Sequence, residues 1–113
     1  MNQTNSIDIA SIETLKGLMK DRFNFLIETF FINMTKNIEE LQAAIDNKDT
    51  ANIVTIFHSI KGSSGSVGAI SIHQLSARYE ERARHGDMID IIEWIDKLSA
   101  EFERYKDDIQ SYL

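Results

Sequence analysis

The sequence predicts an all-α protein, an antiparallel up-and-down four-helix bundle with an additional short N-terminal helix. Three observations predict it. None of the 113 residues is proline, so no ring or missing N–H interrupts a helix. Apolar residues recur at three- and four-residue steps, the period of a helix that buries one face. The segments between these runs are short, which makes neighbouring helices antiparallel. The length suits a single domain over residues 1–113 with one core.

Residues 1–7 read as a polar N-terminal tail. A short helix follows from about Asp8, a candidate N-cap, to Met19, with Ile9, Ile12, Leu15 and Leu18/Met19 on one side and Gly17 weakening its end. A second helix is expected from about Asp21, again as a cap, to Asn47. It carries Phe23, Leu26, Ile27, Phe30, Phe31, Met34, Ile38, Leu41 and Ile45 at helical spacing. No paired ligands accompany this aromatic stripe, so it reads as core packing rather than a cofactor box.

Asn47-Lys48-Asp49 forms a turn, and Asp49 or Thr50 caps a third helix that stops at Gly68, a residue at ease in the left-handed conformation. A fourth helix is expected from near Ser71 to Gly86, with Ile72, Leu75, Tyr79 and Ala83 inward. The last begins at Asp87, its apolar run being Ile91, Ile92, Trp94/Ile95, Leu98, Phe102, Tyr105 and Ile109.

The third helix holds the chemistry. Wound at about 100° per residue, Ile53, Ile56, Phe57, Ile60, Ser64 and Val67 gather on one side while His58, Gly62 and Gly65 fall on the other. Each glycine costs about 1 kcal/mol relative to alanine inside a helix. Glycines four and seven residues after His58 clear side chains from its side of the helix, where a second protein's surface can approach the ring. Lys61 brings an ammonium within reach. On pattern alone a plainer reading stands beside this one: Gly62–Ser66 has loop composition, so the helix could end at Lys61 and leave His58 an ordinary surface residue.

The run His58-Ser59-Ile60-Lys61-Gly62-Ser63-Ser64-Gly65-Ser66-Val67-Gly68-Ala69 resembles the motif of histidine-containing phosphotransfer (HPt) domains. That motif has His, two residues, Lys-Gly, small residues, then Gly ten positions after the His. The similarity continues through Leu75, Tyr79-Glu80 and Arg84-His85-Gly86-Asp87. The resemblance implies a phosphorelay carrier rather than an enzyme. His58 would be the phosphoacceptor, reacting at Nε2, and Lys61 would stabilise the phosphoryl charge. Gly62 and Gly65 would belong to the receiver docking surface and Gly68 to the helix turn. The implied partners are receiver domains of a hybrid sensor kinase and of a response regulator, which bring the magnesium ion and most of the catalysis. No cofactor is implied for this chain.

Two other readings compete. One is a helical interaction module without covalent chemistry, in which the glycine surface packs against a partner helix. The other is the substrate domain of a histidine kinase, phosphorylated directly from ATP.

Other classes find less support. A formal charge of −6 argues against nucleic-acid binding. The arginines at 78, 82 and 84 alternate with Glu80 and Glu81, the mark of a solvated helix face. Without cysteine there is no disulfide, thiolate metal site or catalytic thiol, and the absence fits a cytoplasmic location. No apolar run approaches the roughly 20 residues of a membrane span, and the N-terminus lacks signal-peptide regions.

No metal site is expected either, since His58, His73 and His85 lack the Glu-x-x-His spacing of di-iron bundles. Gly62, Gly65 and Gly68 match neither the dinucleotide fingerprint nor a P-loop. His73, in a first turn, and His85, beside a C-terminal glycine, read as surface residues. Glu80 reads as an ion-pairing or bundle-orienting residue without catalytic role. Monomer is the default, and Met1 fits a free-standing protein as well as the end of a hybrid kinase.

Overall fold

The computed structural model describes residues 5–113. Five helices follow in order: α1 Ile9–Met19, α2 Phe23–Asp46, α3 Thr50–Ser66, α4 Ile70–Arg84 and α5 Ile91–Ile109. There is no strand among the described residues. The last four helices form the bundle, with α2 beside α3, α3 beside α4, and α5 closing the ring against α4 and α2. The α3–α4 pairing is the most extensive. The bundle and its short N-terminal helix are those expected from the periodicity.

Two aromatic clusters set the spacing. Phe30 and Phe31 of α2 meet Phe102 and Tyr105 of α5 edge to face. Phe57 of α3, Tyr79 of α4 and Trp94 of α5 form the other, with Tyr79 and Trp94 stacked at 4.3 Å. Edge-to-face and stacked pairs add to plain area burial and fix ring positions. The second cluster includes Phe57 and Tyr79, the chain neighbours of His58 and Glu80, and so fixes the backbone at both.

Capping follows the sequence in four places. Asp8 and Asp49 accept hydrogen bonds from the N–H groups of Ser11 and Asn52. Gly68 ends the α3 turn at φ +68, and a side chain there would come within 2.8 Å of Ile12 Cδ1. Gly86 closes α4 at φ +74.

Four expectations are corrected. Asp21 caps nothing, because Lys20–Arg22 form a 3₁₀ turn that runs directly into α2. The last helix starts at Ile91 rather than Asp87. Arg82 bonds both Asp87 and Asp90, and Asp90 also accepts from the Trp94 indole, so these carboxylates hold a turn instead of capping a helix. Ile92 faces solvent at 81 % exposure, because the buried stripe runs through Trp94, Leu98, Phe102, Tyr105 and Ile109.

The fourth correction concerns the tail. Its first four residues lie outside the described residues, but Ser6 and Ile7 are buried. The Ser6 hydroxyl donates to Asp108 at 2.6 Å, and the Asp8 N–H donates to the Gly68 carbonyl. These bonds draw the segment over the end of the bundle.

Candidate functional site

His58 stands midway along α3, and α3 continues helically to Ser66. The loop-like composition after Lys61 does not end it, because Ser63, Ser64 and Ser66 return their hydroxyls to carbonyls of their own helix. Ser64 is buried, its hydroxyl 2.6 Å from the Ile60 carbonyl. The His58 side chain is 64 % exposed, as its place opposite the Ile53–Phe57–Ile60 stripe requires.

Across from it on α4 lies Glu80, whose side chain is only 5 % exposed. An acidic side chain is almost never that buried unless paired, and this one has three partners. His58 Nδ1 is 3.0 Å from Oε2, Arg84 donates to the same oxygen at 2.6 Å, and Lys61 Nζ is 2.8 Å from Oε1. Burial alone pushes the Glu80 carboxyl up, but the Lys61 ammonium paired with Oε1 and the hydrogen bonds from Arg84 and His58 outweigh it and hold it down at about 2. Glu80 is therefore a carboxylate at neutral pH.

A carboxylate only accepts, so the proton of a neutral His58 ring resides on Nδ1 and the lone pair on Nε2. The bond also aims the ring, much as second-shell carboxylates orient histidines at metal centres. The outer nitrogen is left with an unshared pair at the solvent-facing edge. Lys61, Arg84 and Glu80 together place a net positive charge beside it, a setting suited to an arriving dianion.

The sequence-chosen residues fall as follows. His58 and Lys61 meet at Glu80. Gly62, the next residue along, is exposed, and a Cβ there would meet nothing within 4 Å. Beside it, shallow grooves between α2 and α3 are lined by Thr29, Asn33, Lys36, Ser59 and Ser63. Gly65 differs, because the His73 ring packs where its side chain would be. Gly68 sits at the α3–α4 turn, away from the ring.

Sequence reasoning missed two partners here. The ion pairs expected of Glu80 are present, with Lys61 and Arg84, but its place against His58 is not in the sequence reading, although a carboxylate between Tyr79 and Ala83 on the inward face of α4 is a signal for it. The arginines that the sequence assigns to a solvated face are in part engaged: Arg84 reaches Glu80 and Arg82 lies over Trp94 at 5.1 Å. His85 is exposed, as expected. His73 is half-buried, its Nδ1 2.8 Å from the Lys61 carbonyl. Among the described residues, no group of three or more His, Asp or Glu side chains could hold a metal ion. No helix among the described residues is long and apolar enough to cross a membrane.

Comparison with known proteins adds two findings. The family model described as Hpt domain matches residues 26–108. Among solved structures, histidine-containing phosphotransfer protein B (HptB) from Pseudomonas aeruginosa PAO1 is similar at a TM-score of 0.88. The two share 26 % identity over 98 % of this chain and 100 % of that one. A search of curated proteins finds no match.

Proposed function

The chain belongs to the Hpt domain family, phosphotransfer proteins of two-component phosphorelays, and from that premise we propose that His58 is the residue that carries the phosphoryl group. The observation that supports it most is the contact between a buried, ionised Glu80 and Nδ1 of a largely exposed His58 ring. It leaves Nε2 of the neutral ring as the nucleophile.

In this reading the Nε2 lone pair attacks the phosphorus of an aspartyl phosphate on a receiver domain. The bond between phosphorus and the aspartyl oxygen breaks, the aspartate leaves as a carboxylate, and an Nε2–P bond forms. The ring then bears a positive charge, because Nδ1 keeps its proton. Glu80 balances that charge, and Lys61 offsets the negative charge on the phosphoryl oxygens. The reverse sequence delivers the group to a second receiver.

Phosphoryl transfer asks mainly for in-line positioning and charge balance. The receiver supplies the magnesium ion and the aspartate, so the chain is a carrier rather than an enzyme. A hybrid sensor kinase and a response regulator, meeting it in the cytoplasm, are the expected sources of the two receivers. Gly62 and the α2–α3 grooves beside it are the surface on which each would settle.

Incubation with a phosphorylated receiver tests the proposal. Label that is acid-labile and base-stable should appear on the wild type and not on His58→Gln. Equal labelling of the two proteins would overturn the assignment.

A further inference from the structure

We propose that His73 is a positioning residue for Lys61: its ring, seated where Gly65 lacks a side chain, hydrogen-bonds the Lys61 carbonyl and fixes the α3–α4 register at which the Lys61 ammonium meets Glu80. The role for Lys61 in transfer rests on the carrier reading above; the positioning itself does not.

Three observations carry it. The Lys61 carbonyl lies well inside α3, where it already accepts from its own helix four residues on; Ser64 Oγ lies 3.2 Å from it but gives its single proton to the nearer Ile60 carbonyl at 2.6 Å. The His73 bond at 2.8 Å therefore rescues no orphaned group. It is an additional tie between two helices, using the carbonyl's second lone pair. Since a carbonyl only accepts, Nδ1 of His73 carries the proton.

The tie depends on Gly65. A Cβ built there would lie 3.1 Å from His73 Nδ1 and 3.3 Å from Cε1, tighter than ordinary contact, so with alanine the ring must give by a few tenths of an ångström, which lengthens its bond to the carbonyl. This gives Gly65, a poor helix residue, a structural reason for its place in α3.

Lys61 is also held at both ends by the same helix. His73 in the first turn of α4 takes the backbone carbonyl, and Glu80, about two turns further along, takes the ammonium at 2.8 Å. A slip of α4 along α3 would break both contacts together.

The test compares wild type, His73→Ala, His73→Asn and Gly65→Ala. The Asn amide nitrogen stands at the same distance along the side chain as Nδ1 and can donate. The first readout is the Glu80 carboxyl, followed by ¹³C NMR as the pH is lowered. Its titration should move up toward that of an ordinary glutamate in His73→Ala and Gly65→Ala and stay in place in His73→Asn. The second readout is phosphoryl transfer from a saturating phosphorylated receiver. Loss of one neutral hydrogen bond should slow it about 3- to 10-fold in His73→Ala, with His73→Asn close to wild type. Gly65→Ala should add nothing once His73 is already alanine.

Identical Glu80 titration in wild type and His73→Ala would overturn the inference, as would a His73→Asn protein indistinguishable from His73→Ala. A wild type that takes no label would sink the carrier reading, while the titration would still decide the role of His73. If His73→Ala fails to fold, the titrations of His73→Asn and Gly65→Ala decide it.

Discussion

Glu80 accepts a hydrogen bond from His58 Nδ1 at 3.0 Å while its own side chain is almost wholly withdrawn from solvent. A buried carboxylate in a bundle core is costly unless paired. Here the same group that needs cationic partners decides which edge of the imidazole carries the proton. Structure and chemistry are joined at one residue.

The first prediction concerns that residue. In Glu80→Gln the amide can donate as well as accept, so the ring is no longer restricted to one tautomer and the charge on the phosphorylated ring is left unbalanced. Loss of a charge-assisted hydrogen bond of about 1.5–3 kcal/mol corresponds to roughly 10- to 100-fold slower transfer. Single-turnover transfer from a phosphorylated receiver measures it, and a wild-type rate would remove Glu80 from the account.

The pH dependence follows with a definite sign. The Glu80 carboxyl falls from an ordinary 4.5 to about 2 in the folded protein. A group whose folded value is depressed stabilises the fold above its unfolded value, and that stability is lost as pH falls through the folded value. Glu80 thus contributes fully above about pH 4.5 and loses its contribution between there and about pH 2, at most on the order of 3 kcal/mol. Urea denaturation from pH 7 to pH 2 should show the wild type's advantage over Glu80→Gln shrinking across that window. A constant difference would contradict the assignment.

Lys61→Ala removes the ammonium near the ring but leaves Glu80 paired with Arg84 and His58. Transfer should slow by roughly 10- to 100-fold, as for loss of one charge-assisted contact. The far-ultraviolet circular dichroism should stay that of a folded bundle. Equal transfer rates for the two proteins would refute the charge-stabilising role.

Gly62 separates docking from stability. With nothing within 4 Å of an added Cβ, Gly62→Ala should raise stability by about 1 kcal/mol through helix propensity. Gly62→Trp should weaken receiver binding at least tenfold, as a ring on that open strip holds off a partner. Titration calorimetry with a receiver and thermal melting read the two effects, and unchanged affinity in Gly62→Trp would rule out this face as the docking surface.

Much of this was legible in the sequence. Periodicity placed His58 outward because Ile53, Phe57 and Ile60 fix the opposite face, and Gly68 and Gly86 marked turns because both need positive φ. The partners across helices were not legible. Glu80 lies 22 positions from His58, and which residue of an antiparallel neighbour comes opposite depends on loop geometry and register.

The same reason hid His73, whose bond to the Lys61 carbonyl is made to backbone, which no side-chain pattern encodes. Asp87 and Asp21 misled because an acidic residue before an apolar run reads as a cap. In the fold Asp87 serves Arg82, and a 3₁₀ turn removes any need for a cap at Asp21.

The most direct test of the central claim is ¹⁵N NMR of the His58 ring before and after phosphorylation by a receiver. The account predicts a neutral ring protonated at Nδ1, then a phosphorus bonded to Nε2 with Nδ1 still protonated. A ring protonated at Nε2, or phosphorus found on Nδ1, would contradict it.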